Sequence, residues 1–273
     1  MSHPVATPSQ QPPLACCLLP RVVGARHTRR EEASDDCCRR HRPARVPQEP
    51  PARGPAPRRD EGLLPHLEPI ALTFKQVLYE RDAPIPHLYF PAGGVVSLLI
   101  TMDDGAAIEV ATIGNEGLVG LAAVLGVEVS TERAIVQIAG DALRMEADVV
   151  ARAIRSGSPT HDLLLRYAQA LMMSLAQTAA CNRLHPMEER CARWLLQTHD
   201  RVRSDAFPLT HAFLAQMLGV RRATVTVAAG MLQQAGLIRY SRGVVTIVDR
   251  PGLEAASCAC YRLIQARFDR LLG

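Results

Sequence analysis

Between positions 221 and 226 the chain reads Arg221-Arg222-Ala-Thr224-Val-Thr226, two guanidinium groups and two hydroxyls gathered in one short stretch. An Arg can donate two parallel hydrogen bonds to the edge of a guanine, or it can hold a phosphate; a Thr hydroxyl does either more weakly. Paired cations at a helix start oppose the helix macrodipole, so an ordinary solvated helix end does not account for them well. The enzyme signatures are missing: there is no P-loop, no G-x-S-x-G and no H-E-x-x-H, and Gly114, Gly117 and Gly120 have G-x-x-G-x-x-G spacing instead of the dinucleotide fingerprint. A binding protein is expected, not an enzyme. The eight Cys give no metal-ligand pattern: Cys16-Cys17 and Cys37-Cys38 are adjacent pairs, Cys258-Ala-Cys260 is a C-x-C, and Cys181 and Cys191 read as small buried hydrophobes. The scattered His residues add none, and no metal site is expected.

The elements that would position the Arg-Thr cluster can be read around it. Thr210 caps a short helix through Leu218, Gly219-Val220 makes the turn, and a second helix runs from Arg221 to Gln234 with Val225, Ala228 or Ala229, Met231 and Leu232 available to face inward. Ala215 falls where two such helices cross closely and Gly219 where the chain must turn sharply, the geometry of a helix-turn-helix. From Gly236 to Val248 two short strands flank Ser241-Arg242-Gly243. That is a wing, with Arg242 at its tip as a natural phosphate contact. The first two turns of the second helix, carrying Arg221, Arg222, Thr224 and Thr226, are the part that reaches base edges.

Ahead of this module the pattern changes twice. Residues 70–145 alternate short apolar runs with turn residues (75–80, 87–90, 95–102, 107–113 and 133–138), which reads as an antiparallel sandwich or barrel, with Asp104-Gly105 as a hairpin turn. Ser158-Pro159-Thr160 then supplies an N-cap and a first-turn Pro, and no Gly or Pro follows until Pro186. Along that helix Leu164, Ala168, Leu171 and Leu175 recur at spacings of four, three and four, a seam for a partner helix. Packing of the same stripe on the chain's own β-domain is the plainer alternative. A further helix is expected from Met187 to Val202.

The fold class is therefore α+β, in four parts: an extension over 1–61, an antiparallel sandwich or barrel over 62–158 (a β-roll, by the family resemblance given below), a dimerisation helix over 159–185 and a winged helix-turn-helix over 186–273. The extension holds 11 of the 20 Pro, Arg clusters and no aromatic residue, too little apolar surface to offset its ordering entropy, so it reads as disordered. Whether it is translated is left open. Residues 62–184 carry 8 basic against 13 acidic residues, while 185–273 carry 12 against 7. A basic end on an acidic body suits contact with a polyanion through the last third. No run of about 18 apolar residues marks a helical membrane span, and a cytoplasmic protein without membrane partners is expected.

From about residue 70 onward the sequence resembles the Crp/Fnr family of bacterial transcription regulators. The likeness is carried by Leu209-Thr210, Leu214-Ala-Gln-Met-Leu-Gly-Val-Arg-Arg-Ala-Thr-Val225 and Gln233-Gln-Ala-Gly-Leu-Ile238, with Tyr89-Phe-Pro91 and Ile113-Gly-Asn-Glu-Gly-Leu-Val-Gly120 in the roll. It implies a homodimer bound to double-stranded DNA, with RNA polymerase as a further partner, and a sensor roll of the cyclic-nucleotide-binding type. It also implies that Thr210 touches phosphate and that Arg222 stands in the place of the family's base-reading Arg. Ala223 and Val227 depart from the family's acidic and second Arg positions, so the usual half-site is not implied. In the roll the resemblance puts Gly120 and Arg133 at a ligand phosphate, and Glu116 could add a carboxylate from the neighbouring turn. Leu121 and Ala134, however, occupy the positions of the ribose-binding Glu and of a phosphate-binding hydroxyl. Neither the usual cyclic AMP mode nor an iron–sulfur cluster of the kind some relatives hold is expected, no cofactor is assigned, and the effector stays open. The alternative function is a ligand- or redox-sensing interaction module with weak or no specific DNA binding.

Overall fold

The computed structural model describes residues 61–154, 157–202 and 204–272; the expected disordered extension, with Cys16, Cys17, Cys37 and Cys38, lies outside them. Seven strands form two antiparallel sheets. One has the order β1-β7-β3 (Glu68–Leu72, Gly140–Glu146, His87–Pro91), the other β2-β6-β4-β5 (Val77–Tyr79, Arg133–Ile138, Val95–Thr101, Ala107–Ile113). The chain passes from one sheet to the other between Ile138 and Gly140, where a side chain on Gly140 would collide with the backbone of Gly93 at 2.4 Å. Gly140-Asp141 reads as a turn in the sequence, yet it begins β7. The β4–β5 hairpin closes at Asp104-Gly105, with Gly105 at φ 81° and the Asp104 carboxylate accepting from the Ala106 amide at 2.9 Å. Leu72, Leu78, Tyr89, Val96, Leu98, Ile113 and Val136 fill the space inside the roll.

Two short helices, α1 (Leu121–Val124) and α2 (Ala147–Ala153), pack against Leu88, Phe90 and Met145 of the roll and precede the long helix α3, Pro159–Leu184. Ser158 caps α3 by accepting from the His161 amide at 3.2 Å, and Pro159 sits in its first turn, where a missing N–H costs nothing. Helix α4 (Met187–Val202) follows Pro186 directly. Then come β8 (Ala206–Pro208), α5 (His211–Leu218), α6 (Arg222–Gln234), the hairpin β9 (Ile238–Ser241) and β10 (Val244–Ile247), α7 (Arg250–Ala256) and α8 (Cys260–Leu272).

The last helix does not stay with the module that precedes it. Helix α8 folds back along α3, with Ile264 and Phe268 joining Leu164, Tyr167 and Ala170 in one core together with Leu118 and Met145 of the roll. Of the expected seam, Leu164 and Ala168 are thus buried within the chain, while Leu171 and Leu175 stay half-buried. The apolar residues that α3 leaves exposed are Leu165, Met172, Ala176, Ala179, Ala180 and Leu184, and of these Leu165, Met172 and Ala179 recur every seven residues. Among the described residues, no helix is long and apolar enough to cross a membrane.

Candidate nucleic-acid interface

Helices α5 and α6 cross closely because Ala215 is small and buried between them. Leu214, Met217 and Leu218 of α5 meet Val225, Ala228, Ala229 and Leu232 of α6 in one core with Trp194, Leu195, Phe207, Val245 and Ile247. Met231, an expected inward residue, is instead exposed. Gly219 ends α5 at φ 64°, where its amide bonds back to the Gln216 carbonyl, and so provides the sharp turn. It does a second thing as well: a Cβ there would lie 2.5 Å from the Ile108 Cδ1 of β5, so the turn packs flat against the roll.

The residues proposed to touch DNA are all exposed. Arg221 is the N-cap position of α6 and makes no side-chain cap; Arg222, Ala223 and Thr224 follow, all exposed. The helix end and the two exposed guanidiniums, which make no hydrogen bond or ion pair among the described residues, thus lie together, an arrangement chemically suited to an anion. Thr226 is also exposed, but its hydroxyl is engaged, donating to the Arg222 carbonyl at 3.0 Å and meeting His211 Nδ1 at 3.0 Å. It braces the helix start as much as it offers a contact. His211 lies against Tyr240, the rings tilted at 39° with centroids 4.3 Å apart, and burial, with the Arg222 charge nearby, pulls its imidazole below the usual His range.

The wing is held through its backbone. Arg242 and Gly243 both have positive φ, 49° and 77°, as a two-residue turn matched to the strand twist requires. The Leu209 amide donates to the Gly243 carbonyl at 2.7 Å, and the Tyr240 hydroxyl donates to the Leu209 carbonyl. Thr210 uses its hydroxyl to cap α5, accepting from the Phe213 amide at 3.1 Å, and its methyl lies 3.8 Å from where a Gly243 Cβ would be. Thr210 and the wing turn at Arg242-Gly243 are thus neighbours. Arg239, on β9, is an exposed cation of the same wing that the sequence pattern does not single out.

The three roll residues proposed for a ligand have different neighbours. Glu116 turns toward the helix-turn-helix side, where Arg201 of α4 donates to it at 2.8 Å while also donating to Thr112 at 2.9 Å. Gly120 holds φ 94° at the start of α1, with Leu88 and the His87 carbonyl where a side chain would go. Arg133, on β6, pairs with Glu80 of the roll at 3.1 Å. Ala134 is fully buried, and Leu121 packs beside the core under α1. A small cavity beneath α3 is lined by Leu63, Leu88, Phe90, Met145 and Leu164, with Thr160 as the polar residue of its lining. That lining suits an apolar group better than a phosphate.

Comparison with known proteins agrees with this geometry. Residues 189–256 match the Crp-like helix-turn-helix domain. The fold is similar to that of a CRP-family transcriptional regulator from Thermus thermophilus (20% identity, 69% of this chain and 96% of that one, TM-score 0.59). It is similar also to that of FixK2 from Bradyrhizobium japonicum (17% identity, 71% and 98%, TM-score 0.56) and to that of the c-di-GMP responsive global regulator CLP of Xanthomonas campestris (15% identity, 68% and 96%, TM-score 0.55). No curated protein sequence matches the chain. The chain thus carries a Crp-like helix-turn-helix domain in the fold of Crp/Fnr-type transcription regulators.

Proposed function

We propose that this chain, a Crp/Fnr-type fold with a Crp-like DNA-binding module, is a homodimeric, sequence-specific regulator of transcription and not an enzyme. The observation that carries the reading is the Arg221-Arg222 pair, without a side-chain hydrogen bond or ion pair among the described residues, on the exposed first turn of α6 in a module that also exposes Arg242 at its wing tip. In this role Arg222 reads a base edge in the major groove, Arg221 and Arg242 hold phosphates, and Thr224 adds a lateral contact. Two copies would pair along the exposed Leu165, Met172 and Ala179 stripe of α3 and so present two α6 helices to a two-fold symmetric site.

The roll would act on the DNA-binding module through the surfaces already in contact, Glu116 with Arg201 and Glu109 with Trp194, by changing how the module is held. With Leu121 and Ala134 in the places of two recognition groups, the roll does not take cyclic AMP in the family's usual way. Selection of bound sequences from a random DNA pool at a stated salt concentration, with and without cyclic nucleotides, tests both statements. A symmetric site enriched without nucleotide is the expected result. Enrichment only with nucleotide would overturn the reading of the roll, and no enrichment in either condition would favour the interaction module.

A further inference from the structure

Four side chains that no DNA contact uses converge where α3 ends and α8 begins. Cys181 and His185 are one helical turn apart, on the last turn of α3 and its cap; Cys258 precedes α8 and Cys260 is its first residue. The Cys181 and Cys258 sulfurs are 3.5 Å apart, and the Cys260 sulfur is 3.6 Å from His185 Nδ1. All four donor atoms lie within 4.8 Å of one another. A tetrahedral Zn²⁺ with Zn–S bonds of about 2.3 Å and a Zn–N bond of about 2.0 Å places its donors roughly 3.5–3.8 Å from each other. The two closest pairs have that separation already.

Burial alone does not account for the arrangement. Cysteine thiols are common in cores, and Cys191 is an ordinary example, buried with its thiol pushed up to about 12 by desolvation. Cys181, Cys258 and Cys260 differ in that they form a core of their own and turn their sulfurs to one point, with an imidazole nitrogen facing the same point. Their surroundings suit bound thiolates. Gln177 donates its amide to the Cys260 sulfur at 3.1 Å while its carbonyl accepts from Arg267 at 3.1 Å, an outer-shell brace of the kind metal ligands carry. Three thiolates on a dication leave one negative charge, and the Arg190 and Arg193 guanidiniums act electrostatically on Cys181.

We propose that Cys181, His185, Cys258 and Cys260 form a closed Cys₃His site for one Zn²⁺, which clamps the terminal helix to the end of the long helix. Four protein donors leave no position for a substrate, so the ion is structural. Convergence on a single point suits one ion, whereas a cluster of several irons needs donors spread over its own width. The clamp sits beside His185-Pro186, the two residues that join α3 to α4, and so it fixes the junction through which the roll and the DNA-binding module are connected.

The test is metal content and Co²⁺ spectroscopy of the full chain purified under reducing conditions. About one Zn²⁺ per chain is expected, and replacement by Co²⁺ should give the intense thiolate charge-transfer and ligand-field bands of a tetrahedral site. Cys258→Ser and Cys260→Ser should each lower bound Zn²⁺ to roughly a tenth or less, Gln177→Leu should weaken binding by about tenfold, and Cys191→Ala should retain the full complement. If the Ser variants fail to fold, the Co²⁺ spectrum of the unaltered chain decides. A chain that binds no stoichiometric Zn²⁺ or Co²⁺ when reduced, a six-coordinate Co²⁺ spectrum, a brown iron–sulfur chromophore in protein purified without oxygen, or Ser variants with full metal content would each overturn the proposal.

Discussion

Arg201 and Glu116 form a buried ion pair, 2.8 Å between Nη2 and Oε1, that joins the first helix of the DNA-binding module to a turn of the roll. The aliphatic part of Arg201 lies against Gly114, where a side chain would be 2.5 Å from its Cγ, so a glycine makes room for the cation. Such a pair is expensive to break on one side only, because the remaining charge has no water to return to. Arg201→Met should therefore lower the unfolding free energy by about 3–5 kcal/mol. The double change Arg201→Met with Glu116→Leu should recover most of that loss. Urea unfolding of the two variants measures this; additive losses would mean that the pair is not coupled.

Glu109 is another link between the two parts. It is fully enclosed on β5, accepts from the Trp194 indole N–H at 2.8 Å, and burial pushes its carboxyl up to about 7. A raised folded-state value means that folding favours the protonated acid. The stabilisation is complete below the unfolded carboxyl's ordinary range near 4.5 and is lost as pH rises through about 7. The span corresponds to on the order of 3 kcal/mol. Glu109→Gln keeps the acceptor for Trp194 without the ionisation, so it should flatten this part of the pH profile, and its stability relative to the unaltered chain should be higher at pH 8 than at pH 5. Thermal or urea melts across that window check it, and parallel profiles would refute it.

Much of this is legible in the residues and some is not. Turn glycines, the Ser158 cap and the break at Pro186 fix local conformation by local chemistry, so the hairpin, the long helix and the helix-turn-helix are read correctly from their own stretches. The strands β1 and β7 escape such a reading, since Glu68–Leu72 is short and begins with two polar or proline positions, and Gly140-Asp141 has the look of a turn. Glu116 reads as a ligand group because nothing nearby in sequence announces that Arg201 will neutralise it. The same limit applies to Cys181, His185, Cys258 and Cys260. The C-x₃-H and C-x-C fragments are weak separately, and only the return of α8 along α3 brings them together. On α3, likewise, Leu164 and Ala168 of the expected seam are buried within the chain, Leu164 in the core that α8 joins.

Arg222 is exposed and makes no side-chain hydrogen bond or ion pair among the described residues, so its removal should leave the fold intact. Arg222→Ala should weaken binding to the selected site by about 1–3 kcal/mol and relax preference at one position of each half-site. Arg242→Ala should instead weaken binding to all sequences alike and reduce the salt dependence by about one counterion. Fluorescence anisotropy against matched and mismatched duplexes at several salt concentrations separates the two behaviours. Equal affinity for the selected site after Arg222→Ala would mean that another side chain reads the base.

Gly219 meets two independent demands, and variants can divide them. Gly219→Ala forces a side chain into φ 64° and drives its Cβ toward Ile108. The backbone contribution alone is about 1–2 kcal/mol, with the contact adding to it. In an Ile108→Ala background the contact is relieved and the backbone strain is not, so Gly219→Ala should cost less there but still at least about 1 kcal/mol. A double-mutant cycle by denaturant unfolding measures the coupling. A cost unchanged by Ile108→Ala would show that the turn does not press on the roll.

Association through α3 gives a prediction that leaves the subunit untouched. Met172 is 63% exposed, and Leu165 and Ala179 lie one heptad to either side of it. A charge at this position costs little in an isolated chain because the side chain already faces water. In a parallel pair of α3 helices two like charges would face each other across the seam, without water to screen them fully. Met172→Arg should therefore leave the unfolding midpoint of the separated chain unchanged within about 0.5 kcal/mol while raising the dimer dissociation constant by about tenfold or more. Sedimentation velocity over a concentration series reads the second quantity and dilute thermal melts the first. A dimer of undiminished strength would move the seam to another face of the helix, and with it the spacing expected between the two α6 helices on DNA.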